Sequence, residues 1–302
     1  MEGFLTMLGA QLVLMTYVLA GLYSAKRGLV DDRGRKMLVD LILQVLLPCM
    51  IFESFSSRLT AEVIRATALA FVTSVVIAAV AVILSNVLFR RYPPEKAKIL
   101  KYCLMVNNAG FLGLTLVKAV FGDEGLLTAS IFVIPNRVLM WTAGLSLFED
   151  CDFKTSCRNI LLNPNMIAVY LGLTRQICGI PMPDFLDTAL KGIGSAASPL
   201  SMMVIGMMVY GVNLKSLVEP VTFYFSAFRL ILLPVGALAI CRLLGFDPVL
   251  TGVCLVMTGM PAGSTSALMA AKYGGDQEFA SKLVIATTLL SLVTAPLLMF
   301  LL

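Results

Sequence analysis

Apolar residues run through this chain in long blocks, separated by short polar clusters rather than by a strict helical or strand alternation. Residues 71–89 contain no charge, and residues 223–244 contain only Arg229 and Arg242. Blocks of this length match the roughly 20 apolar residues needed to cross a bilayer as a helix. Ten such stretches begin near Gly3, Met37, Ala66, Tyr102, Leu126, Ile160, Phe185, Val221, Val249 and Ala280. The pattern predicts an all-α membrane protein of ten transmembrane helices with short loops and no soluble domain. The first stretch has Glu2 before it and a basic cluster after it, the reverse of a secretory signal, so it reads as a permanent span.

Composition agrees. Of 302 residues, 59% are hydrophobic and 14% charged, too little polar surface to cover a soluble core of this size. The net charge of +5 collects in short loops, which points to topology and not to nucleic acid. Lys26, Arg27, Arg33, Arg35 and Lys36 fill the first loop. Arg90, Arg91, Lys96, Lys98 and Lys101 fill the third, and Lys154 and Arg158 the fifth. The even loops hold Arg58 and Arg65, then Lys118 beside Asp123 and Glu124. Odd loops are therefore expected in the cytoplasm, with both termini outside a cell inner (plasma) membrane.

The chain has no histidine, which removes catalytic triads, histidine-ligated metals and histidine proton relays. Cys49, Cys103, Cys178, Cys241 and Cys254 lie in apolar runs and read as small apolar residues without disulfides. Cys151 and Cys157 share a polar loop but lack the partners of a zinc site. Asp31 and Asp32 lack the second acidic motif of an intramembrane prenyl transferase. The expectation is no enzyme, no metal and no cofactor.

An internal repeat is visible at an offset of about 153 positions. It places Gly110 on Gly263, Lys118 on Ala271, Gly122 on Gly275 and Asp123 on Asp276, while Pro48 with Ile51 echoes Pro199 with Met202. Five spans per half is odd, so residues 1–158 and 159–302 form two inverted five-helix repeats in this reading, a common transporter plan. Both copies break their helix. Asn107, Asn108 and Gly110, followed by Gly113, interrupt the fourth span. Gly259, Pro261 and Gly263, followed by Ser264, Thr265 and Ser266, interrupt the ninth. Unwound backbone frees polar groups, and half-helix N-termini that meet there favour an anion. The alternative is a pair of tolerated kinks with hydroxyls bonded back to their own helices.

Arg137, after Pro135 and Asn136, lies deep enough in the fifth span to be a functional candidate. Its guanidinium could hold a carboxylate through two bonds, or form a structural pair. Arg229 lies nearer a span end and reads as snorkelling to the interface. Asp40 is expected to pair with the basic loop, and Glu53 to offer a protonatable coupling group. Trp141 and the methionines read as packing.

Taken in order, several stretches resemble the auxin efflux carrier family across nearly the whole chain. They are LPCMIF from Leu47, NNAGFLGLTLVKAVFGDEG from Asn107, NPNMIAVYLGL from Asn163, SPLSMMVIGMMVYG from Ser198, and MPAGSTSALMAAKYGGDQEFASKLVIATTLLSLVTAPL from Met260. The resemblance implies broken fourth and ninth spans that cross at the substrate site. It also implies a scaffold of helices 1, 2, 6 and 7, a moving transport domain of helices 3–5 and 8–10, an elevator mechanism and a homodimer. Asn108 and Gly113 match the plant carriers' fourth span, Asn107 and Thr115 replace its prolines, and Pro261 and Gly263 match the ninth-span break. The short loop from Glu149 to Arg158 is similar to compact bacterial members, among them malate and malonate carriers. PAGSTSALMAAKYGGD is more distantly similar to bile-acid sodium symporters, without a counterpart of their acidic sodium ligands.

The expected function is a secondary transporter of small organic anions, a mono- or dicarboxylate or an auxin-like acid. Asn107, Asn108, Gly110, Asn136, Arg137, Pro261, Gly263, Ser264, Thr265 and Ser266 would form its site. The alternatives are a sodium-coupled carrier of bile-acid-like anions and a membrane sensor that binds without flux.

Overall fold

Proline decides where many of these helices begin, because its missing N–H costs nothing in a first turn. The computed structural model describes residues 2–55, 61–148, 153–210, 217, 219–263, 265–273 and 275–302. Helix makes up 85% of it, and no strand occurs among the described residues.

In chain order the helices are α1 (Glu2–Lys26), α2 (Asp32–Ser54), α3 (Ala61–Leu88), α4 (Pro94–Met105), α5 (Leu112–Leu139) and α6 (Phe153–Leu161). There follow α7 (Pro164–Cys178), α8 (Asp184–Val209), α9 (Pro220–Leu243), α10 (Pro248–Thr258), α11 (Thr265–Lys272) and α12 (Gln277–Met299). Four of them, α4, α7, α9 and α10, open on a proline. Asp31, Asn163, Asp247 and Asp276 cap α2, α7, α10 and α12 by accepting a first-turn N–H. Five described helices have the length and apolarity to cross a membrane: α2, the stretch of α3 from Ile64 to Leu88, α8, α9 and α12.

Proline also bends helices from within. Pro48 and Pro234 each follow a π turn, Ile42–Leu46 in α2 and Phe228–Leu232 in α9. Each lacks the N–H that would continue the ladder, and the extra residue of a π turn relieves that fault. Gly122 breaks α5 into two helical pieces, at φ 65° and ψ −156°. The chain also turns between α11 and α12, at the Gly275 and Asp276 that the 153-residue offset sets against Gly122 and Asp123.

The helices pack closely where side chains are absent. α1 lies against α8 through Gly21 and Gly206. A Cβ on Gly21 would stand 1.9 Å from the Met203 carbonyl, and one on Gly206 1.9 Å from the Val18 carbonyl. α3 and α5 are tied by the Ser74 hydroxyl, which donates to the Phe132 carbonyl at 2.6 Å. On the outer side of α3, Val72, Val76, Ile83 and Val87 recur at helical spacing on an exposed face, which a bilayer and not water would cover.

Asp40 departs from expectation. It is exposed, and the ion pair beside it in the basic loop joins Arg35 to Asp32 at 3.0 Å.

Candidate functional site at the paired helix breaks

The two breaks touch through their backbones. α4 ends at Met105, and a short 3-10 turn over Asn108–Gly110 leads into α5. α10 ends at Thr258, and α11 starts at Thr265. Asn107 and Ala262 form an antiparallel bridge between them. On either side, the Asn108 N–H donates to the Pro261 carbonyl at 2.8 Å and the Gly263 N–H to the Val106 carbonyl at 3.0 Å. Proline has no N–H, so Pro261 returns no bond to Asn108. The Asn108 carbonyl takes the Phe111 N–H instead, at 3.3 Å.

Interrupted helices leave carbonyls without partners at their C-terminal ends. Here side chains answer several of them. Arg229, from the π turn of α9, donates from Nε to the Met260 carbonyl at 2.9 Å. Its Nη1 reaches the Leu104 carbonyl at 3.1 Å and its Nη2 the Thr258 carbonyl at 2.8 Å. Asn107 Nδ2 donates to the Met257 carbonyl at 2.7 Å, and Asn136 Nδ2 to Asn107 Oδ1 at 3.1 Å. A cavity of about 20 Å³, lined by Asn107, Asn136, Arg229, Thr258, Ser74 and Phe132, lies beside them. That is room for about one water.

Arg229 therefore does not snorkel. It is 2% exposed and faces inward. The π turn produced by Pro234 gives the helix an extra residue there, and the free carbonyls of α4 and α10 supply acceptors that a headgroup region would otherwise supply. Its sequence signal was an arginine five residues before a proline within an apolar run. Asn107 and Asn136 likewise spend their amide N–H groups on the protein's own oxygens.

The surroundings of Gly110 are poor in acceptors. Arg137 stands over Gly110, so close that a Cβ there would lie 2.0 Å from its Nη2. Its Nε is buried without a partner, and its Nη1 meets only the thioether of Met140 at 3.9 Å. No carboxylate among the described residues pairs with it. Gly110 precedes the N-terminal end of α5, the positive end of the helix dipole, where a cation is unfavourable on its own. Tyr102, fully buried, donates its hydroxyl to Thr265 Oγ1 at 3.2 Å, at the start of α11. The buried Asn108 makes no side-chain hydrogen bond to a described residue. Met105, Val106, Met140 and Met269 surround Tyr102, with Trp141 and Tyr273 packed on that cluster.

Of the remaining predicted residues, Gly113 lies inside the first turns of α5 and not in the break. There it gives room to Met257 and Met260. Ser266 is fully buried and donates its hydroxyl back to the Gly263 carbonyl, as the kink alternative had it. Ser264 lies outside the described residues. Glu53, nearly buried on α2, is paired with Lys118 of α5 at 2.9 Å, and Lys118 also reaches Asp123 at 3.4 Å. Tyr102 is the member of this site that sequence reasoning missed, because a tyrosine in an apolar run carries no distinguishing signal.

A family model described as membrane transport protein matches residues 6–155 and 153–299. The chain is 25% identical over 297 residues to an uncharacterized transporter of Methanocaldococcus jannaschii, covering 93% of this chain and 94% of that one. It is 27% identical to an uncharacterized transporter of Methanothermobacter thermautotrophicus, over 95% and 93% of the two chains. It is also 24% identical to a Rhizobium meliloti protein named "Putative malonate transporter", over 90% and 89%.

Proposed function

The chain belongs to the membrane transport protein family, the auxin efflux carriers, and from that premise we propose that it is a secondary transporter of small organic anions, mono- or dicarboxylates of the size of malonate or malate. Arg137 carries the reading. It is a cation with a buried, unpartnered Nε, set against the positive end of a helix. A carboxylate supplies the missing acceptor through two charge-assisted bonds and also offsets the helix dipole. Asn108, Thr265 and Tyr102, at the same break, are the polar groups proposed to complete its hydrogen bonds.

In this reading the chain makes ten crossings in two inverted halves, 1–158 and 159–302, with both termini outside the plasma membrane. Crossings 1, 2, 6 and 7 (α1, α2, α7 and α8) form a homodimeric scaffold along which the other six move as an elevator. The name of the Rhizobium meliloti relative supports the carboxylate class.

The first test is thermal unfolding of the purified protein with malonate, malate, auxin-like acids, bile acids and neutral analogues. A ligand held only by the folded state raises the midpoint by mass action. Small carboxylates are expected to raise it and neutral analogues to leave it unchanged. A rise with neutral analogues alone would overturn the anion reading.

The Glu53–Lys118 pair joins α2, in the proposed scaffold, to α5, in the proposed moving part. Glu53 serves coupling in this scheme by exchanging that partner as the domain moves. Lys118 is 30% exposed, so solvent screens the pair and its worth is on the order of 1 kcal/mol. A thermodynamic cycle of Glu53→Gln, Lys118→Met and the double variant is expected to return coupling of about that size. Additive effects would remove the pair as a link between the two parts.

A further inference from the structure

Three carbonyl oxygens from two interrupted helices surround one guanidinium at the crossing: Leu104 from α4, Thr258 from α10 and Met260 just beyond it. Both helices present their negative ends there. Carbonyl oxygens of this kind are the ligands that a hard metal cation such as sodium takes. In this protein the positive charge between the helix ends is a guanidinium, with each of its three nitrogens on a different carbonyl. No carboxylate among the described residues pairs with Arg229, so the helix ends are its counter-charge.

We infer that Arg229 is a tethered replacement for a bound metal cation, so that this crossing needs no sodium to hold its two helix ends together. A cation that dissociates couples its own gradient to the conformations it prefers, because binding and conformational change are linked. A cation fixed to the chain cannot leave, and its occupancy is the same on both sides of the membrane. This crossing therefore gives the sodium gradient no hold on carboxylate movement.

The surroundings point the same way. Truncating Arg229 would join its space to the adjoining cavity of about 20 Å³, whose polar lining is Asn107, Asn136, Thr258 and Ser74. The enlarged hollow would keep the three carbonyls and lose its charge, and a small cation could then enter.

The test compares thermal unfolding of the full chain in sodium chloride and in choline chloride at equal ionic strength, so that it does not depend on flux. Wild type is expected to unfold at one midpoint in both salts. Arg229→Gln and Arg229→Ala are expected to unfold several degrees lower in choline and to recover part of that loss, saturably, with sodium or guanidinium. Arg229→Lys, which keeps the charge, should stay insensitive to sodium, and it carries the comparison if the neutral variants do not fold. A saturable sodium-specific rise in wild type, or equal sodium sensitivity of Arg229→Lys and Arg229→Gln, would overturn the inference.

The flux arm rests on the transport reading, and measures malonate uptake into proteoliposomes with either salt outside. Equal rates are expected, and uptake seen only with a sodium gradient would count against the role given to Arg229. Absence of uptake in both salts would count against the transport reading, with the unfolding arm still deciding on Arg229.

Discussion

Arg137→Ala is expected to abolish the carboxylate-induced rise in unfolding midpoint and to reduce carboxylate uptake about 100-fold or more. Two hydrogen bonds to an ionised group, at roughly 1.5–3 kcal/mol each, set that scale. The same substitution should leave the unliganded protein as stable as wild type, or slightly more so. Removing Arg137 orphans no acceptor, because its Nε has none and its Nη1 meets only the Met140 thioether. It also takes a positive charge away from the positive end of α5. Arg137→Lys keeps the charge but loses the planar fork, and an intermediate loss is expected. Uptake at the wild-type rate in Arg137→Ala would dismiss the site; loss of uptake together with a large loss of stability would mark Arg137 as structural.

Gly206→Ala is expected to be among the most destabilising small changes in the molecule. A Cβ there would stand 1.9 Å from the Val18 carbonyl oxygen and 2.8 Å from the Leu22 amide nitrogen. Both neighbours are backbone of α1, so no rotamer change relieves the clash and the two helices must move apart. In a bilayer, close backbone approach at small residues is a principal source of helix association. Overpacking alone costs about 1–3 kcal/mol, and forced separation of a whole helix pair places this site at or above the top of that range. Gly192→Ala in α8 and Gly236→Ala in α9 serve as controls, since nothing lies within 4 Å of a Cβ at either. They should be neutral or mildly stabilising, as alanine restricts the unfolded chain. Purification yield and unfolding midpoint check all three, and a Gly206→Ala protein like its controls would refute the tight α1–α8 contact.

The helical stretches and the two breaks were legible in the sequence because they are local. Hydropathy over about twenty residues depends on composition alone, and proline or glycine perturbs its own turn whatever surrounds it. So the interruptions at 107–110 and 259–263 need no long-range contact to be recognised. Their pairing was suggested only by the 153-residue offset.

The sequence could not assign each polar side chain to a face of the crossing. Arg137 and Arg229 look alike along the chain, each a lone arginine near a proline in an apolar run. The structure turns one onto three helix-end carbonyls and leaves the other without an oxygen acceptor among the described residues. Asn107 and Asn136, both read as ligands, donate to the chain's own oxygens, while Tyr102 reaches Thr265 163 residues away. Whether a buried polar group is satisfied depends on what the rest of the fold brings within about 3 Å of it. For these residues the partners come from other helices, so only the tertiary structure could decide it.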